Sequence, residues 1–92
     1  KRFRQDHLIM LYMPSSSLLP RFGITVSRRV GNAVVRNRVK RWIREVLRQR
    51  GSAIAGAWDI VIIARPTARG AGLHRIERDF QGFSSWISKK SR

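Results

Sequence analysis

Residues 31–51 read GNAVVRNRVKRWIREVLRQRG, and this stretch decides the architecture. Val35, Val39, Trp42, Ile43, Val46 and Leu47 recur at i, i+4, i+7, i+8, i+11 and i+12, one apolar stripe at helical period. Asn32 stands where an N-cap belongs and Gly51 where a C-cap glycine belongs, so the spacing predicts a helix over 33–50. Wound at about 100° per residue, Asn37, Arg41, Arg44 and Arg48 fall directly opposite Val39, Ile43 and Val46. Lys40 flanks them on one side, Arg38 and Glu45 on the other. One side of this helix is therefore made for a core, and the other is a cationic ridge about 16 Å long.

Upstream, His7 to Met13 (HLIMLYM) is a compact apolar run of strand character. Alternation puts Leu8, Met10 and Tyr12 on one face and Ile9, Leu11 and Met13 on the other. Pro14 to Ser17 reads as a loop, and from Arg21 to Ser27 the inward Phe22, Ile24 and Val26 alternate with Arg21, Gly23, Thr25 and Ser27. Two strands six to eight residues apart suggest an antiparallel pair with a longer loop. Downstream, the β-branched run Trp58 to Ala64 (WDIVIIA) is stopped by Pro66, and Thr67 to Gly72 reads as loose. Leu73, Ile76, Phe80, Phe83 and Ile87 mark a second amphipathic helix reaching about Lys90. Gly82 inside it costs roughly 1 kcal/mol relative to alanine. The order β-β-α-β-α, with a helix between the second and third strands, suggests a βαβ crossover with parallel strands if they are adjacent. The expected class is α+β, a small sheet with helices packed on it, in one domain over residues 1–92.

Ninety-two residues leave no room for a second core. Twenty Lys+Arg against five Asp+Glu give a formal charge of +15, whose sign points to a polyanionic partner. At 42% apolar the chain is too hydrophobic for a disordered basic tail. Cysteine is absent, which excludes disulfides, zinc knuckles and thiol nucleophiles. Few carboxylates and two histidines argue against a dedicated metal site. No run approaches the roughly 18–20 apolar residues that span a bilayer, and no signal peptide opens the chain. It begins at Lys1 without a methionine, so either a processed start or, in preference, a missing N-terminal piece is expected.

Between Arg28 and Arg50 stand nine basic residues and one acid, Glu45. A merely solvated face is served by mixed signs, whereas like charges at i,i+3 and i,i+4 repel. Only Arg41 with Glu45 offers relief at that spacing, so the stripe makes sense as a phosphate-binding face. Sixteen of the twenty cations are arginine, whose planar fork binds phosphate bidentately and stacks on bases. Asn37 among them can hydrogen-bond a phosphate, a 2′-OH or a base edge. These grounds leave RNA and DNA both open. Enzyme readings are weak. His7 and His74 lie in different elements without a carboxylate or serine constellation. Asp59 reads as a turn or cap residue, and Glu77 and Asp79 as local ion pairs with Arg75 and Arg78. Gly70 to Gly72 lacks the lysine of a phosphate loop. Trp42 and Trp58 read as core and Trp86 as partly exposed.

The run Gly31 to Arg48 closely resembles the RNR signature of the bacterial ribonuclease P protein subunit. Ser27-Arg28-Arg29-Val30 looks like that family's approach to the signature, and Trp58 to Pro66 is similar to its third core strand. The likeness runs from about Phe3 to the last helix. It implies an α-β sandwich with a left-handed βαβ crossover, against the usual right-handed rule. It also implies an accessory subunit of an endoribonuclease whose RNA is the catalyst and uses magnesium, with no cofactor bound by the protein. The partners implied are ribonuclease P RNA and the 5′ leader of precursor tRNA, in the cytoplasm, with no membrane and no small-molecule substrate. By the same resemblance Arg28, Arg29, Asn32, Arg36, Asn37, Arg38, Lys40, Arg41 and Arg44 contact RNA, and the ridge adds Arg48. Tyr12, with an open sheet face of Leu8 and Met10, matches one wall of the leader cleft, bordered by Lys40 and Arg44. The family's other wall is an N-terminal helix carrying aromatics, which this stretch of sequence does not contain. A small ribosomal-type RNA-binding protein shares the charge and size, but the joint spacing of GNAVVRNR and KRWIRE favours the ribonuclease P family. A DNA-binding reading lacks a turn-helix pair or a dimer seam.

Overall fold

A computed structural model describes residues 1–90. The elements follow in the order β1 (Arg2–Arg4), β2 (Leu8–Pro14), β3 (Arg21–Thr25), α1 (Ala33–Arg50), β4 (Trp58–Ala64) and α2 (Gly72–Lys90). Short 3-10 turns occupy Gly51–Ala53 and Pro66–Gly70. The bounds of α1 and β4 are those the sequence pattern predicts, and β3 stops two residues earlier than Ser27. β1 is an addition. Three residues cannot display a period, and this strand forms because Phe3 finds Met10 across the β1–β2 pair.

The sheet order is β1-β2-β4-β3. β2 pairs antiparallel with β4, and β4 pairs parallel with β3. The expected β2–β3 pair therefore does not form, because β4 inserts between them. The intervening loop easily crosses one strand, since strands are spaced about 4.8 Å apart. The inserted β4 is the most β-branched run in the chain, and in the centre its backbone is bonded along both edges. The β3–α1–β4 crossover joins adjacent parallel strands, as the helix placement suggests.

Register sorts the sheet into two faces. Phe3, Met10, Ile62 and Ile24 form one row across the strands, and Tyr12, Ile60 and Phe22 the next. Met10, Ile62, Tyr12 and Ile60 of these rows lie in the core with Val39, Ile43 and Val46 of α1 and Ile76, Phe80, Phe83 and Ile87 of α2, and Phe3, Ile24 and Phe22 pack partly buried against it. Burying each such large side chain contributes about 1.5–3 kcal/mol. Leu73, expected on the α2 stripe, remains exposed in the first turn. The helix runs unbroken through Gly82, against which the Gln5 amide lies while donating to the Asp79 carbonyl. Trp42 and Trp58 are half-buried at the core margin rather than inside it, as is Trp86.

The acids make long-range contacts where local ones are expected. Asp79 lies on the inward stripe between Ile76 and Phe83, is buried, and accepts the His7 backbone N–H at 2.7 Å. Glu77 accepts from Arg50 Nε at 2.9 Å, tying the end of α1 to α2. Asp59 is no cap: both its oxygens accept from Arg21, its register partner on β3, at 2.7 and 2.8 Å. The stretch after Pro66 is a 3-10 turn with Ala68 buried, and Thr67 Oγ1 donates to the Asp6 carbonyl.

Both ends of α1 are shaped by glycine. Gly51 keeps a right-handed conformation (φ −61°) instead of the left-handed cap, and the chain tightens into the 3-10 turn beside the Phe22 ring. At Gly31, with φ +157°, an added Cβ would stand 2.8 Å from Val35 Cβ and Cγ1. Val35 is β-branched on a helix and has little rotamer freedom to yield. Gly31→Ala is expected to lower unfolding free energy by about 1–3 kcal/mol. Urea denaturation checks it, and an unchanged midpoint would show that the turn has room.

Candidate nucleic-acid interface

α1 starts from a built cap: Asn32 Oδ1 accepts the Val35 N–H at 3.0 Å. Because Val39, Ile43 and Val46 are sequestered, helical geometry turns Asn37, Arg41, Arg44 and Arg48 to solvent, and all four are exposed. With Val34, Arg38 and Glu45 they line an open depression of about 550 Å³. No acid stands in the first turn of the helix.

Glu45 is the acid on this surface, and its partner is Arg48 rather than the expected Arg41. The Arg48 Nε donates to Glu45 Oε1 at 3.1 Å, and Gln49 Nε2 donates to Oε2 at 2.6 Å. The Arg48 guanidinium holds the Glu45 carboxyl below the usual carboxylate range, and Glu45 in turn raises the arginine. Arg38, Arg41 and Arg44 have no carboxylate partner among the described residues. Asp59, Glu77 and Asp79 are engaged elsewhere.

The other expected RNA-binding residues divide by position. Arg28 and Arg29 are exposed in the turn that leads to Gly31. Asn32 spends its side-chain oxygen on the cap and keeps its amide as a donor. Arg36 and Lys40 are half-buried on the flank between ridge and core, and Arg36 Nε is buried without a hydrogen-bond partner. The structure thus brings Asn37, Arg38, Arg41, Arg44 and Arg48 together and leaves Arg36 and Lys40 to one side.

The expected leader wall requires a correction. Leu8, Met10 and Tyr12 are 1%, 0% and 5% exposed and belong to the core. The open face carries the opposite parity: Ile9, Leu11 and Met13 of β2 beside Val61 and Ile63 of β4, with Arg2 and Arg4 from β1. Leu11, Met13 and Val61 are 39%, 60% and 37% exposed. A groove of about 460 Å³ runs over this face between Lys1, Arg2, Leu11, Met13, Asp59 and Val61, with Tyr12 at its border. Lys40 and Arg44 do not line it. Both parities of β2 are apolar, so alternation could not choose between them. The usable signal lay in β4, where Asp59 shares parity with Val61 and marks that side as outward.

A family model described as Ribonuclease P matches residues 1–87, nearly the whole described fold. The chain belongs to this family. The Ribonuclease P protein component of Dehalococcoides mccartyi strain 195 is 42% identical over 84 residues, covering 88% of this chain and 68% of the relative. That of Brevibacillus brevis is 53% identical over 58 residues, covering 63% and 46%. The chain spans about half to two thirds of the length of such relatives. Among solved structures, the RNase P protein from Thermotoga maritima superposes with TM-score 0.85 at 26% identity, covering 95% of this chain and 83% of that one. The Staphylococcus aureus RNase P protein gives 0.82 at 30% identity, covering 100% and 84%. The mixed sheet with two helices is thus the fold of this family.

Glu45 is the one negative charge on an otherwise cationic surface, which gives a direct test of how that surface works. Glu45→Gln releases Arg48 and removes a repulsive charge. Affinity for a structured RNA is expected to rise, and the slope of log affinity against log salt to steepen by about one. Filter binding across a salt series measures both, and an unchanged slope would place the contact elsewhere.

Proposed function

We propose that this chain acts as the protein subunit of ribonuclease P, binding the catalytic RNA and the 5′ leader of precursor tRNA while the RNA hydrolyses the phosphodiester. The observation that carries this reading is the outward line Asn37–Arg41–Arg44–Arg48, whose arginines at positions 41 and 44 have no carboxylate partner among the described residues. Such a line is self-repelling in the free protein and is stabilised when phosphates replace the missing carboxylates. Arg28 and Arg29 extend it past the N-terminal end of α1, where the unsatisfied backbone N–H groups also favour an anion.

The open sheet face takes the leader in this reading. Leu11, Met13 and Val61 offer apolar surface to unstacked bases, and Arg2 and Arg4 stand beside them for the phosphates. The protein's side chains hold RNA in place and do not attack it. In this reading the magnesium chemistry is the RNA's; among the described residues no group of three or more His, Asp or Glu is arranged to hold a metal ion. No described helix is long and apolar enough to cross a membrane. The place of action in this reading is the cytoplasm, where precursor tRNA is processed.

Reconstitution tests the proposal. Added to a bacterial ribonuclease P RNA at low magnesium, the chain is expected to stimulate leader removal. Arg41→Ala with Arg44→Ala should weaken RNA binding and flatten the salt slope by about one to two. A full-length relative serves as the positive control. No stimulation at any magnesium concentration, with that control active, would refute the reading.

A further inference from the structure

At one end of the sandwich a recess of about 160 Å³ lies among Lys1, Tyr12, Met13, Pro14, Trp58 and Lys90. It shares no residue with the α1 ridge, and it meets the open-face groove at Lys1, Tyr12 and Met13. Its walls are aromatic. Tyr12 sits edge-on to Trp58 at 5.7 Å and to Trp86 at 5.3 Å, and Phe3 continues the cluster at 4.7 Å from Trp86. Tyr12 is buried, whereas Trp58 and Trp86 are only half-buried. Core packing explains why these rings gather here. It does not explain the two lysines at the rim. Lys90 Nζ stands 5.2 Å from the Trp86 ring centroid, and neither lysine has a carboxylate partner among the described residues. The nearest acid in the adjoining groove, Asp59, is held by Arg21 in a two-pronged ion pair.

We propose that this recess receives one unstacked base of a single-stranded RNA, with its phosphate between Lys1 and Lys90. The inference rests on the RNA-binding reading above and adds a subsite to it. Flat rings beside exposed ammonium groups are complementary to a flat, anionic nucleotide, and base–aromatic stacking tolerates any base. Continuity with the groove gives the strand a path: it crosses the open face past Leu11 and turns over the Met13–Pro14 end of β2 into the recess. The charge-free, apolar lining of Met13 and Pro14 favours the base over a bare phosphate at that end.

The test uses the three indole N–H signals of the intact chain in a nitrogen–proton correlation spectrum, in which Trp42 reports on α1 and Trp58 on the recess. Titration with a short oligouridylate is expected to shift the Trp58 signal saturably. Binding of a labelled oligouridylate is then compared among variants. Lys90→Ala should weaken it about threefold or more, and Trp58→Leu about tenfold, with Trp58→Phe restoring most of the affinity because a ring remains. Lys90 is exposed at a helix end, so its variant reports even where Trp58→Leu fails to fold. A silent Trp58 signal while α1 amides shift would overturn the recess and leave the ridge standing. Equal Trp58 shifts with base-free polyphosphate would also overturn it. If neither α1 nor Trp58 responds to RNA, the RNA-binding reading itself fails.

Discussion

The antiparallel register of β2 on β4 is the constraint from which the rest of the molecule follows. Pairing Met10 with Ile62 and Tyr12 with Ile60 puts one parity of both strands under the helices. A slip of one residue would exchange the faces, sending Met13 and Leu11 inward and exposing Leu8 and Met10. Since β2 is apolar on both faces, its own composition barely opposes that slip. β4 decides the matter, because Asp59 on the outward parity would otherwise be buried. Its ion pair with Arg21 across the parallel β3–β4 ladder secures the third strand to the same choice.

Once the faces are set, α1 has a single way to lie. Its stripe of Val39, Ile43 and Val46 must meet the core, and every residue half a turn away must meet solvent. The ridge is thus a consequence of core packing rather than an independent design. Its electrostatic cost in the free protein is moderated, among the described residues, where Glu45 engages Arg48. Two further acids are committed to architecture: Glu77 joins the helices through Arg50, and Asp79 anchors the β1–β2 turn from inside α2. A chain with five acids has few to spare, and placing three of them at joints leaves Arg38, Arg41 and Arg44 without a carboxylate partner among the described residues.

Three surfaces of different chemistry result. The ridge is a line of exposed guanidinium groups on a helix. The open sheet face is apolar with arginines along its β1 edge. The recess at the Pro14 end is aromatic with lysines at the rim. Only the last two adjoin, sharing Lys1, Tyr12 and Met13.

Much of this was legible in the linear order of residues. The period of Val35 to Leu47 and the cap at Asn32 determined α1 to the residue, and the same winding determined which arginines share a face, since both are local consequences of helical geometry. The β-branched run at Trp58 and the GNAVVRNR pattern likewise determined β4 and the family. The partner of β2, the existence of β1 and the identity of the open face were decided only in three dimensions. Each depends on backbone pairing between residues far apart in the chain, and a strand that is apolar on both sides carries no record of which side its partner will cover. The acids tell the same story: Asp79 has plausible local partners in sequence and Asp59 reads as a turn or cap residue, but burial on the α2 stripe and register against β3 assigned them to His7 and Arg21 instead.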